Sequence, residues 1–347
     1  MSEHGERAGG GPPRPPTMRD VAALAGVSFK TVSRVVNREA GVSAAVVGRV
    51  EQAVKLLDYR HDATASSLRR TDRRTATIGL LLEDVANPFA SAVYRAVEDA
   101  ASERDVLVLA GSSDAEPGRQ ERLIRELLSR RVDGLIVMPV AQGQASVFRT
   151  GRAGCPMVFI DRPAAIDTAD SVAVDNREGA CAAVRHLAAR GHRRIAFLGD
   201  LHAIWTAAER RLGYVEGLAA EGIRLDARLV RQDLSSSDAA EGATLALLTA
   251  DAPPTAIFAG QNLITIGAIR AMQRLGVQHR VALVGFDDVL LADLLDPPVS
   301  VIAQDPGAIG RAAAELLFAR LDGDDAPPQH RVVPTRLIAR GSGEIGA

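Results

Sequence analysis

Lys30 and Arg34 stand four residues apart in the run FKTVSRVVN. At about 100° per residue of helix they share one face, roughly 40° apart, while Val32, Val35 and Val36 fall on the other side. Such a helix buries its valines and presents cations and hydroxyls, the groups that bond base edges and phosphates in a DNA major groove. Phe29 opens the helix, where its ring is placed to touch a thymine methyl. The neighbouring sequence supplies positioning elements. Thr17 is placed to cap a helix over Met18–Ala25, with Val21, Leu24 and Ala25 on its apolar face. Gly26-Val27-Ser28 breaks it, and Ser28 caps the second helix, Phe29–Asn37. A third helix over Ala44–Leu57, capped by Ser43, offers Val46, Val47, Val50, Val54 and Leu57 to a small core. Two short helices joined by a tight glycine turn make a helix-turn-helix. The bare pattern equally fits a helical hairpin with a solvated basic face.

After Ala76 the pattern changes. Short apolar runs (Ile78–Leu82, Val106–Leu109, Leu135–Met138, Met157–Ile160, Val172–Val174, Ile195–Leu198, Ala256–Phe258, Val281–Val284 and Val299–Ile302) alternate with amphipathic stretches. Apolar strands separated by helices mean βαβ units and parallel sheet covered on both faces. Nine such runs predict two doubly wound subdomains rather than one. In such sheets ligands bind at the carboxyl ends of strands. The residues there are Glu83, Asp84, Asn87 and Phe89, then Asp161 and Arg162, then Trp205, Thr206, Arg210 and Arg211, then Gln261 and Asn262, then Asp287 and Asp288, and finally Gln304 and Asp305. Carboxylates, amides, guanidinium groups and an aromatic face suit a hydroxyl-rich ligand.

Charge divides the chain in the same place. Of its 347 residues, 41 are basic and 43 acidic, a formal net charge of −2. That total argues against nucleic-acid binding only until it is split. Residues 1–75 hold thirteen basic and eight acidic residues, so a +5 head sits on a −7 body. Eight Phe, three Tyr and one Trp are too few for a base-stacking platform. Cys155 and Cys181 have neither metal spacing nor a disulfide framework and read as reduced thiols. The seven histidines are scattered, and none pairs at metal spacing. His192 follows a helix-ending glycine and is expected to satisfy backbone groups. There is no G-x-x-x-x-G-K-[ST], H-E-x-x-H or G-x-S-x-G motif. Asp287 and Asp288 leave a strand in different directions, which argues against shared acid–base work. No cofactor, metal or catalytic group is called for. No apolar run reaches the ~20 residues of a membrane helix, and the N-terminus lacks an apolar signal stretch, so a cytoplasmic protein is expected.

The segment TMRDVAALAGVSFKTVSRVVN, at 17–37, resembles the start of the LacI/GalR-type bacterial transcriptional repressors. The likeness continues through Val42-Ser43, Leu56–Tyr59 and ATASSLRR at 63–70. It resumes in TIGLLLEDVANPF (77–89), RRVDGLIVMP (130–139), FIDRP (159–163), VDNREGA (174–180), GHRRIAFLGD (191–200) and ALVGFDD (282–288). It implies an N-terminal all-α helix-turn-helix head plus hinge helix, on an α/β body of two doubly wound, periplasmic-binding-protein-like subdomains. Double-stranded operator DNA would be bound by Thr17, Ser28, Phe29, Lys30, Thr31, Ser33, Arg34 and Asn37, and by hinge residues Ala65 and Leu68. The hinge would fold on DNA, with Leu68 wedged into the minor groove. A small effector, a sugar or sugar derivative, would meet Phe89, Asp161, Arg210, Asp287 and Gln304, with Thr206 a weaker match. Asn87, Trp205 and Gln261 complete the expected effector site. Gln261-Asn262 stands where most relatives have Asn-Asp, which removes a charge-assisted acceptor.

The expected organisation is a flexible tail over 1–16, the DNA-binding domain over 17–61, and hinge and linker over 62–75. An interleaved body over 76–340 would cross between subdomains near 162, 290 and 322, and 341–347 would form a tail. The resemblance also implies a homodimer on a pseudo-palindromic operator, since relatives that form tetramers add a leucine-heptad tail and residues 336–347 hold no heptads. Two alternatives remain: a solute-binding protein with a similar body, and a regulator answering to a nucleobase or sugar phosphate.

Overall fold

The computed structural model describes residues 14, 16–36, 41–59, 74–140, 154–163 and 169–347. Asn37, the expected hinge helix with Ala65 and Leu68, and nearly all of the 1–16 tail lie outside those residues. The chain divides into two compact units, Met1–Thr75 and Ala76–Ala347.

The first unit holds α1 (Met18–Ala25), α2 (Phe29–Val36) and α3 (Ala44–Leu56). The Asp20 carboxylate accepts both the backbone N–H and the hydroxyl of Thr17, each at 2.7 Å. The Thr17 hydrogen bonds hold the Asp20 carboxyl below its ordinary pKa. Gly26 takes the left-handed conformation (φ +63°) that closes α1, and the Val27 amide bonds back to the Ala22 carbonyl. Ser28 Oγ accepts from the Thr31 amide at 3.1 Å and so caps α2. Val21, Ala22, Ala25, Val32, Val50 and Ala53 form the core, with Val54 and Leu57 packed against it. Three expectations need correcting. Leu24 is 52% exposed because Ala22, not Leu24, completes the buried face of α1. Val46 and Val47 are only half-buried, since they lie a turn ahead of the Val50–Ala53 contact. Ser43 occupies the cap position of α3, but its side chain makes no capping bond.

The second unit contains two six-stranded sheets of matching order, β11-β5-β4-β3-β1-β2 and β12-β10-β9-β8-β6-β7. The strands are β1 (Thr77–Leu82), β2 (Leu107–Ser112), β3 (Gly134–Val137), β4 (Met157–Ile160), β5 (Asp170–Val174) and β11 (His330–Val333) in the first. The second has β6 (Ile195–Leu198), β7 (Val230–Arg231), β8 (Ala256–Ala259), β9 (Ala282–Phe286), β10 (Ser300–Ala303) and β12 (Arg336–Ile338). Every pairing is parallel except β10 with β12. All nine apolar runs are strands. β7, β11 and β12 escaped notice because short edge strands carry no continuous apolar run.

Helices cover both faces of each sheet. On the first, α4 (Pro88–Ser102) and α10 (Pro306–Leu321) bury Val93, Val97, Ile309 and Leu317, while α5 (Pro117–Ser129) buries Ile124 and Leu127 opposite. On the second, α6 (Asn176–Ala189) and α7 (Trp205–Ala220) cover one face, and α8 (Ser237–Leu248) and α9 (Asn262–Leu275) the other. Where α7 crosses α6, a Cβ on Gly213 would lie 2.1 Å from the Arg177 carbonyl oxygen, so only glycine permits this approach.

The crossings between the halves differ from those expected. The chain passes between sheets near 175, 304 and 334 rather than 162, 290 and 322, because β5 still pairs with β4, β10 with β9, and β11 with β5. The last return is clamped by Arg320, which donates to both carboxylate oxygens of buried Asp170 at 2.7 and 2.8 Å. Residues 341–347 are no tail. Ser342 is buried, its hydroxyl donating to the Leu283 carbonyl at 2.6 Å, and the Ile345 carbonyl meets Nε2 of fully buried His192 at 2.8 Å. His192 Nδ1 lies 2.9 Å from Thr255 Oγ1, so this histidine satisfies distant groups as well as closing its helix.

Candidate functional site

A recess of about 70 Å³ opens at the carboxyl ends of strands from both sheets. That is smaller than the ~300–1,000 Å³ of open small-molecule sites. Its lining is Glu83, Asp84, Asn87, Phe89, Ala90, Met138, Asp161, Arg162, Asp200, Thr206, Arg210, Gln261, Asp287 and Gln304. Eight of the nine expected effector residues therefore converge. Trp205 is not in the lining: it stands 37% exposed at the start of its helix, one residue before buried Thr206.

The two sheets contribute matching corners. Asp161 leaves β4 at φ +69° and Asp287 leaves β9 at φ +68°. Each backbone N–H donates at 2.9 Å to the adjacent strand, to Val172 and Ile302 respectively. Aspartate is among the few non-glycine residues that tolerate this conformation. The turn aims both carboxylates into the recess. Burial pushes the Asp161 carboxyl up, against the opposing pull of Arg162 and Arg210.

Arg210 joins the second sheet's elements. Nε donates to Asn176 Oδ1 at 2.7 Å and Nη1 to the Gly260 carbonyl at 2.8 Å. Its guanidinium carbon lies 3.8 Å above the Phe286 ring, and Nη1 is 3.7 Å from Asp287. Gln304 Nε2 donates to Asp287 Oδ1 at 2.5 Å. Arg162 serves the first sheet. It pairs with Glu83, lies 3.2 Å from Asp161, and donates to the Pro139 carbonyl at 2.6 Å. Burial lowers the Arg162 pKa, but Asp161 and Glu83 outweigh it and raise the value. Asn87 caps α4 by accepting from the Phe89 amide at 3.0 Å, and Gln261 caps α9 through Leu263. Asp288 points elsewhere and pairs with Arg340 at 2.7 Å.

Sequence reasoning passed over Asp200, which sits two residues beyond the end of β6; that strand-end position was the available signal. It also passed over Asn176, which anchors Arg210 from the start of α6. Among the described residues, no group of three or more His, Cys, Asp or Glu is arranged to hold a metal. None of the described helices is long and apolar enough to cross a membrane.

On the head, Lys30 is exposed and Phe29 is 42% exposed. Thr17 and Ser28 are exposed, with their side chains engaged at helix starts. Thr31 and Ser33 are half-buried. Arg34 departs from the expected free cation: it is half-buried, its guanidinium next to Gly41.

Residues 17–62 match the family model of bacterial regulatory proteins, lacI family, and residues 184–343 match the periplasmic binding protein-like domain. The chain is 33% identical to the transcriptional regulator CelR of Thermobifida fusca, covering 95% of this chain and 99% of that one. It is 30% identical to the repressor CytR of Escherichia coli K12, over 94% and 96%. A structure of the Lac repressor dimer bound to operator and an anti-inducer superposes with a TM-score of 0.85 at 26% identity, covering 95% and 99%. A CelR–cellobiose complex superposes with a TM-score of 0.71 at 32% identity, covering 94% and 99%. With its helix-turn-helix head, its two-sheet body and relatives matched over nearly their whole length, the chain belongs to the lacI family of bacterial regulatory proteins, which are ligand-responsive, DNA-binding regulators of transcription.

Proposed function

We propose that this chain is a repressor that binds a pseudo-palindromic operator as a homodimer, released or recruited by a small polyhydroxylated effector in the recess between its two sheets. The carrying observation is the convergence of Asn87, Phe89, Asp161, Thr206, Arg210, Gln261, Asp287 and Gln304 from both halves of the body on one recess. A ligand bonded to both halves favours their closed arrangement, and closure alters how a dimer presents its two hinges. Effector and operator are then thermodynamically coupled, each changing the other's affinity by the same factor. In the head, Thr17, Ser28, Phe29, Lys30, Thr31, Ser33 and Arg34, with Asn37, Ala65 and Leu68, are the proposed DNA contacts. Support comes from the exposed α2 residues and the Lac repressor–operator neighbour. The sugar class draws support from the neighbouring CelR–cellobiose complex. The protein acts by binding rather than turnover, in the cytoplasm where its DNA is.

The test is selection of DNA by the full-length protein from a random duplex pool, followed by titration of the selected site with a sugar panel. Symmetric half-sites and a sugar that shifts occupancy are the expected result. Selected sequences without symmetry, or occupancy that no ligand of any class changes, would defeat the reading.

A further inference from the structure

The recess carries an unbalanced charge. Five carboxylates line it, from Glu83, Asp84, Asp161, Asp200 and Asp287, against two guanidinium groups. Both cations are already engaged, Arg162 with Glu83 and Asp161, and Arg210 with Asn176, the Gly260 carbonyl and nearby Asp287. Asp84 and Asp200 have no cation within ion-pair distance among the described residues. Their hydrogen bonds come from their own turns, Ala86 N–H to Asp84 at 2.8 Å and Leu201 N–H to Asp200 at 2.6 Å. The two acids come from opposite halves, Asp84 after β1 and Asp200 after β6. Burial raises the Asp200 carboxyl, and the Glu83 charge adds to the shift.

An independent observation has the same polarity. Gln304 spends its amide N–H on Asp287, while its Oε1 is buried without a hydrogen-bond partner. Arg162 Nε is also buried without a hydrogen-bond partner, but it lies 3.2 Å from the Asp161 carboxylate and serves that charge. What stays open at Asp84, Asp200 and Gln304 is acceptor capacity, which a ligand meets with donors. A phosphate or carboxylate brings only acceptors and negative charge. An ammonium group brings three donors and a positive charge.

We infer that the effector is a polyhydroxylated amine of the amino-sugar class, its ammonium held between Asp200 and the Glu83–Asp84 pair, and that phosphorylated or carboxylated sugars are rejected. This rests on the recess being the effector site. Bridging both halves through one cation gives the ligand a direct way to favour closure.

The experiment is calorimetric titration of the full-length protein with matched triads: glucosamine, glucose and glucose 6-phosphate, and the galactose and mannose equivalents. In at least one triad the amino member should bind tenfold or more tighter than the neutral one, and no phosphate ester should bind. The preference should collapse in Asp200→Asn, and fade as pH rises past the pKa of the ligand's own amine. Equal affinity for amino and neutral members, tighter binding of a phosphate ester, no binding by any amino sugar, or the same heat from calcium ions alone would overturn the inference. Repeating the titration in Arg210→Lys separates the two levels. Binding weakened there without an amine preference leaves the effector site standing and removes only its charge selectivity. Binding unaltered there places the ligand elsewhere and defeats the effector-site reading itself.

Discussion

Asn262 Nδ2 donates to Asn87 Oδ1 at 2.9 Å, and this bond joins the two halves of the body directly. The orientation of Asn87 is pinned, because the same Oδ1 accepts from the Phe89 amide at the start of α4. Asn262 is equally constrained, its Oδ1 accepting from Leu263 N–H at 2.7 Å. An amide at 262 therefore fits this arrangement, and a carboxylate there would set oxygen against oxygen. Asn262→Asp should raise the effector Kd by tenfold or more, the equivalent of about 1–3 kcal/mol for a buried bond replaced by repulsion. Titration calorimetry measures it, and an unchanged Kd would remove this bond from the ligand-bound state.

Arg210→Lys keeps the charge and loses the fork. The bonds to Asn176 and Gly260 and the stacking over Phe286 all need a planar guanidinium. Effector affinity should fall about a hundredfold, near 3 kcal/mol, at the upper end for a charged hydrogen bond. Operator release followed by fluorescence anisotropy would show the response shifted to correspondingly higher ligand concentration.

Lys30→Ala should cost about 1–3 kcal/mol at a single operator position, the range for one base contact. Comparing binding to a set of singly substituted operators checks it. Uniform weakening across all of them would show a phosphate contact instead.

Gly213→Ala should destabilise the body by about 1–3 kcal/mol, since the new methyl meets backbone rather than a side chain that can swing away. The urea midpoint reports that cost. Because Arg210 lies one turn earlier on α7, effector affinity should drop as well; a midpoint equal to the parent's would mean that the helices separate freely.

His192 ties stability to pH. Burial holds its pKa below 6.5, with the Ile345 carbonyl pulling the other way. The unfolded chain therefore takes up the proton first as pH falls. The contribution is complete above pH 6.5 and is lost progressively between 6.5 and the lower folded value. In His192→Gln the fall of the urea midpoint between pH 7 and 5 should be shallower than in the parent. Identical slopes would acquit His192.

The central parallel strands were legible because each is buried on both faces and reads as an unbroken apolar run, and β2 at a sheet edge was legible from its apolar run alone. β11 and β12 were not, because His330–Val333 and Arg336–Ile338 lie at sheet edges with alternating or exposed side chains. The residues that line the recess were legible through one rule, that ligand sites form at strand ends, together with the family likeness. That rule says which residues arrive but not how they turn: Trp205 and Thr206 are neighbours in sequence, yet only Thr206 reaches the recess. Arg34 shows the same limit on the head. Its helical angle was readable, but its reach toward Gly41 depends on the path of the chain beyond α2.

The late return of the chain to its first sheet sets an order of assembly on the ribosome. β5 gains its outer neighbour only when residues 330–333 arrive, and the first sheet gains α10 only after residue 321. Until then the nascent first half exposes the apolar surface destined for Ile309, Leu317 and Phe318, beside an unpaired strand edge. The second half has most of its strands in place earlier, by Ala303. Both halves are thus closed only by the end of the chain, the first by residues 330–333 and the second by 336–345. But the half made first waits far longer for its missing helix and strand, and it is there that a stalled or truncated chain would most need a chaperone.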